Sequence, residues 1–145
     1  MLIVIPGPSM NRVYDECTKH FKCWRYTDDL DANIPTNDRT AKDGPYAVWH
    51  RTRREADEEL KNLSANDTAA RGVKAITLLE RMLLELKYWQ ETRNHLDIQN
   101  VTLCAGSRRA GGRVPDARWL GGLFSVNWRS PASRLPRLRV REVLS

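Results

Sequence analysis

Several constellations in this chain hold residues whose types and spacing could do chemistry. Cys17, His20 and Cys23 are spaced C-x2-H-x2-C, and thiolate and imidazole ligands so placed could share a zinc ion if Cys104 or His50 completed the tetrahedron. Structural zinc sites use two separated ligand pairs, however, and on a helix Cys23 is rotated off the face shared by Cys17 and His20. The spacing therefore favours a buried or incidental cluster, and no cofactor is expected. A nucleophile with its base would need Cys104 or Ser107 beside His95, with Asp97 to orient the imidazole. No G-x-S-x-G elbow or local cysteine-protease signature supports that set, and Cys104 sits in an alternating apolar pattern where a free thiol acts as a small hydrophobe. The acidic run Glu55, Asp57, Glu58 and Glu59 lacks the Glu-x-x-His partner of a dimetal carboxylate site. Arg51, Arg53, Arg54 and Lys61 flank it, which reads as a solvated, charge-paired helix.

Positive charge is the stronger signal. The chain carries +6, yet from Arg108 to Ser145 nine arginines and no lysine face only Asp116 and Glu142, a local +7. Gly106-Ser107-Arg108-Arg109 followed by Gly111-Gly112-Arg113 offers backbone N–H groups and guanidinium forks that can hold phosphate. It matches neither a Walker loop nor G-x-G-x-x-G, and reads first as a basic turn. In an extended segment Arg137, Arg139 and Arg141 would share one face at intervals of about 6.6 to 6.8 Å, opposite Leu138 and Val140. Such a row could track a phosphate backbone, or could guard a sheet edge against pairing.

The elements that must position these residues follow from periodicity. Residues 1–13, with two prolines and a glycine, read as a poorly ordered leader, 14–130 as one globular domain, and 131–145 as a basic tail or edge strand. Tyr14, Cys17, Phe21 and Trp24 recur at helical intervals, predicting a helix from Tyr14 towards Leu30. Asp31 to Pro45 is rich in turn formers, Tyr46 to Arg51 alternates like a short strand, and Arg53 to Leu63 turns helical. Ser64 to Gly72 reads as a loop or one short turn. Thr77 and Glu80 form a capping box. Behind it Leu79, Met82, Leu83 and Leu86 trace a stripe, with Glu80, Arg81 and Glu85 on the other side, so a helix from Thr77 to Thr92 should lie across the core and stop near Asn94. The period then changes to two, with turns at Gly111-Gly112 and Gly121-Gly122. A two-residue Gly121-Gly122 loop sets Leu120 opposite Leu123 and Trp119 opposite Phe124, gathering Ala117, Trp119, Phe124, Val126 and Trp128 on one face. The fold class is α+β: a short antiparallel meander packed on a central amphipathic helix, with further helices before it.

The runs EADEELKNLSAN at Glu55 to Asn66, ITLLERMLLELKYW at Ile76 to Trp89, HLDIQNVTLCAGSR at His95 to Arg108 and RVPDARW at Arg113 to Trp119 resemble a group of short bacterial proteins of no assigned activity. The resemblance implies a compact domain over about Trp24 to Trp128 and supplies no catalytic residue.

No stretch approaches the roughly 18 to 20 apolar residues of a membrane span, and the apolar opening lacks the basic start of a secretory signal. With three cysteines, an odd number for a disulfide framework, a reduced, cytoplasmic protein without a membrane partner is expected. Every periodic apolar residue has a packing role, so the sequence leans towards a non-enzymatic protein-interaction module able to self-associate. Nucleic-acid or polyanion binding through the arginine-rich quarter is the alternative, and a small enzyme with an unrecognised site the third.

Overall fold

The computed structural model describes residues 1–145. In chain order its elements are β1 (Leu2–Val4), α1 (Met10–Thr18), β2 (Cys23–Arg25), α2 (Leu30–Asn33), β3 (Thr36–Asn37), β4 (Tyr46–His50), a 3-10 turn (Glu58–Leu60), α3 (Ala65–Ala70), α4 (Leu78–Thr92), β5 (Val101–Leu103), β6 (Ser107–Arg108), β7 (Val114–Leu120), β8 (Leu123–Arg129), β9 (Leu138–Val140) and β10 (Val143–Leu144). The α+β class stands, with three sheets in place of one meander. The main sheet runs β2-β8-β7-β5-β9, the second β1-β4-β10, and β3 pairs with β6. Long-range parallel pairs, β2 with β8 and β5 with β9, extend the main sheet beyond its antiparallel centre. No helix is long and apolar enough to cross a membrane.

α4 begins where the sequence places it. The Thr77 hydroxyl accepts from the Glu80 N–H and the Glu80 carboxylate from the Thr77 N–H, and Arg93, at φ +59°, closes the helix one residue before the expected Asn94. The buried face, however, is centred on Leu78, Arg81, Met82 and Glu85, one residue earlier than the expected stripe; Leu79, Leu83 and Leu86 are only half-buried. An all-apolar stripe and a stripe carrying two charges overlap on this helix. The second goes deeper because its charges neutralise each other.

The β7–β8 hairpin has the register that a two-glycine loop requires: Leu120 faces Leu123, Trp119 faces Phe124 and Ala117 faces Val126. Gly121 and Gly122 both take positive φ, +60° and +79°, the primed turn that suits a twisted hairpin. Ala117, Phe124 and Val126 pack with Met82, Leu78 and Cys104 in the larger core. The opposite face of the main sheet buries Val101, Leu103, Val114, Leu138 and Val140 beneath Leu60, Ala65 and Ala75. Gly106 holds a close crossing, since any Cβ there would meet the Ala75 carbonyl.

Three expected elements differ. Residues 1–13 form β1 and the start of α1, with Leu2, Val4, Met10 and Val13 buried, because their apolar side chains have a strand and a helix to cover. The helix expected from Tyr14 to Leu30 ends at Thr18; the chain then crosses into β2, whose pairing with β8 outweighs the helical period. Arg53 to Leu63 is not an α-helix. Its carboxylates are spent elsewhere, Glu55 accepting from the Ile98, Gln99 and Asn100 N–H groups and Asp57 from Glu142 N–H and Arg51. Ser64 instead caps a short helix, α3.

Candidate functional site

The residues singled out for chemistry do not assemble into a nucleophile with its base. Cys104 is wholly buried, its Sγ 3.8 Å from the Thr102 carbonyl, and burial pushes its thiol well above the ordinary range. The Ser107 hydroxyl accepts from Leu78 N–H at 3.0 Å and donates to Asn37 Oδ1 at 2.6 Å, docking the start of α4 onto the β3–β6 pair. His95 and Asp97 belong to the ion network described below. None of the four lines the larger clefts.

The cysteine cluster does not assemble into a ligand set. Cys17 is buried in α1, the Cys23 thiol donates to the Phe21 carbonyl, and the His20 ring packs 4.9 Å from that of Trp89. Burial raises both thiols, Cys23 to about 12. No three His, Cys, Asp or Glu side chains converge as metal ligands.

The arginine row does not lie on one exposed face. Arg137 is exposed, Arg139 is half-buried and donates to the Ala56 carbonyl at 3.2 Å, and Arg141 is buried. Alternation holds for Leu138–Val140, but β9 ends there and the next residue turns inwards.

Arg141 closes a network that sequence reading missed. On α4, Arg81 Nη1 donates to Glu85 Oε2 at 2.7 Å and its Nη2 to Asp97 Oδ2 at 2.9 Å. Asp97 Oδ1 accepts from Arg141 Nη2 at 2.9 Å and from Ala56 N–H at 2.8 Å. Thr102 donates to Asp97 and accepts from Arg141 Nε, while the remaining Arg141 donors reach the Arg53 and Arg54 carbonyls. Two guanidinium groups meet two carboxylates, all at most 2% exposed. Such a cluster is tolerated only when every charge is paired and its spare donors are satisfied. The one hint in the sequence is that Arg81 and Glu85 stand four apart on the stripe shared by Leu78 and Met82.

His95 sits at the rim of this network. Glu85 Oε1 lies 2.9 Å from Nδ1, and a carboxylate only accepts, so Nδ1 carries the proton. The ring stacks flat on Trp119, centroids 3.4 Å apart, with Phe21 edge-on at 4.9 Å. This is a histidine–carboxylate pair with Trp119 covering one face of its ring and Phe21 at its edge. It orders the loop after α4, and neither Cys104 nor Ser107 bonds to it.

The second sheet presents the opposite case. Its inner face buries Leu2, Val4, Val48 and Val143. Its outer face aligns Ile3 with Ala47 and Leu144 with Trp49, and cross-strand partners share a face. Ile3 is 59%, Trp49 57% and Leu144 63% exposed, and Met1 and Ile5 continue the same alternation. A hollow of about 220 Å³ between Trp49 and Leu144 is bordered by Arg51 and Glu142, themselves 3.0 Å apart. Residues 1–5 make no backbone hydrogen bond outside the β1–β4 ladder, so the far edge of β1 is open.

The largest cleft, about 620 Å³, lies between the Pro6–Met10 turn and residues 39–42. Two of its charged residues are already paired, Asp31 accepting from the Met10 and Asn11 N–H groups and Arg39 donating to Glu80 and the Ala75 carbonyl, while Lys42 lines it without an ion pair. No family model matches the chain, and no curated protein or solved structure does.

Proposed function

We propose that the chain is a non-enzymatic protein-interaction module that works as a symmetric homodimer joined through the outer face of the β1-β4-β10 sheet. The observation that carries this reading is the row of Ile3, Trp49 and Leu144, each more than half exposed on a sheet whose other face is core. With Met1 and Ile5 these side chains present on the order of 600 Å² of apolar surface, at the upper limit for an isolated monomer and near the roughly 800 Å² per partner of a standard interface. Protruding Ile3 and Trp49 flank the small Ala47, so the face has knobs and a trough, as an isologous contact needs. Its rim carries both signs, Arg51 and Glu142, which a two-fold operation can set against their opposites.

Sedimentation velocity of the full chain tests the proposal. A species of twice 16.7 kDa is expected at micromolar concentration. Trp49→Lys, at an exposed position, is expected to return the monomer with the fold intact. A monomer at all concentrations up to about 100 μM, near −5.5 kcal/mol of association, would overturn it.

A further inference from the structure

The Gly111-Gly112 turn holds two arginines in an arrangement that self-association does not use. The Arg113 guanidinium carbon lies 4.0 Å from the centre of the Trp128 ring, and that of Arg109 lies 5.5 Å from the same ring and 5.6 Å from Tyr26. A guanidinium over an aromatic ring is held by its π face while the N–H groups around its edge stay free to donate. Arg39, Arg129, Arg134 and Arg141 each close on a carboxylate. Arg109 and Arg113 close on none, and their side chains donate to no protein acceptor.

The platform beneath them is fixed. Trp128 stands opposite Pro115, and Arg113 immediately precedes the strand that carries Pro115. The Tyr26 hydroxyl donates to Asn33 Oδ1 at 2.6 Å, and the Asn33 carbonyl accepts from Ala110 N–H at 3.3 Å, tying ring and turn to one residue. Arg109 N–H donates to the Arg113 carbonyl at 2.7 Å and closes the loop. Gly111 and Gly112 take φ of +89° and +91°, with open space where a side chain would stand, and the Gly111 N–H has no protein acceptor.

We propose that this turn binds a phosphate group, with Arg109 and Arg113 as paired forks and the Gly111 N–H as a third donor. Two guanidinium forks held beside one aromatic ring, next to a backbone N–H without an acceptor, supply the kind of donors that an oxyanion of that size requires. The phosphate could come from a free small molecule or from the backbone of a single-stranded nucleic acid.

The test uses the ¹⁵N-labelled full chain, following the arginine Nε–Hε and tryptophan indole resonances. Inorganic pyrophosphate is titrated in one arm and an oligothymidylate of about ten nucleotides in the other. Saturable shifts at Arg109, Arg113 and Trp128 are expected, with about tenfold weaker binding in Arg109→Gln and Arg113→Gln and a change within about twofold in Arg137→Gln, which removes the same charge elsewhere. Saturation by pyrophosphate assigns a small phosphate ligand, and saturation by the oligonucleotide alone assigns a nucleic acid. Absence of saturable shifts with either probe at about 10 mM phosphate, or equal weakening by Arg137→Gln, would overturn the proposal.

Discussion

The interior around Arg81 and the outer face of the β1-β4-β10 sheet each invert the ordinary rule of burial. The first places four charges where apolar side chains belong; the second leaves Ile3, Trp49 and Leu144 in water. They differ in completeness. Every charge in the network has a partner from its own chain, so the network needs nothing further and serves the fold, joining α4, the loop at Asp97, β5 and the residue after β9. The apolar face has no cover from its own chain. Charge buried and paired serves the fold here, and apolar surface left uncovered is the ground for the proposed interface.

Breaking the network should have the largest effect. Arg81→Met leaves Glu85 and Asp97 buried without their shared cation, and a loss of about 3 to 5 kcal/mol is expected in urea unfolding. Arg53→Ala, which removes a solvent-exposed pair with Glu59, should cost under about 1 kcal/mol. Arg81→Met combined with Glu85→Leu should cost less than the sum of the two single changes, since the double change removes charge with its partner. An additive double mutant would mean that the two charges are not coupled. Met82→Ala, within the core, should cost about 2 to 5 kcal/mol, and Leu83→Ala, half-buried on the neighbouring stripe, visibly less.

On the open face the signs reverse. Ile3→Lys and Leu144→Lys should change monomer stability by under about 0.5 kcal/mol while weakening self-association at least tenfold, read by sedimentation at fixed concentration. The thiols sharpen the contrast by their inertness. Burial raises Cys17, Cys23 and Cys104 alike, so a thiol reagent at pH 8 should label the native chain slowly and the urea-unfolded chain fast. Rapid native labelling of Cys104 would contradict the packing around β5.

The smallest effect concerns acid. Arg134 and the Ser64 N–H hold the Asp67 carboxyl well below its ordinary 3.8. A depressed carboxyl contributes stability that is complete above the unfolded value and is lost as the pH falls towards the folded one. Asp67→Asn should therefore narrow the stability difference between neutral pH and pH 3 in urea titrations. An unchanged difference would place acid sensitivity elsewhere.

Local signals in the sequence were reliable where chemistry is local. The Thr77–Glu80 capping box, the length of α4 and the pairing across Gly121-Gly122 need only neighbouring residues, and the structure has them as read. What sequence reading missed depends on long-range pairing. β2 could not be told from a helix because its partner is β8, about a hundred residues away. Arg81 and Glu85 looked solvent-facing because Asp97 and Arg141, which make their burial tolerable, lie elsewhere in the chain. Likewise Met1 to Ile5 is apolar at every position, and nothing local reveals which of its two faces has a partner.

The most direct test of the account is an isotope-filtered NOE experiment on a one-to-one mixture of labelled and unlabelled full chain. The homodimer predicts NOEs between the Trp49 indole of one copy and the methyl groups of Ile3, Ile5 or Leu144 of the other. Those NOEs should vanish in Ala47→Lys, which places a charge in the trough. Their absence from the mixture, together with a mass of 16.7 kDa by light scattering of the same sample, would contradict it.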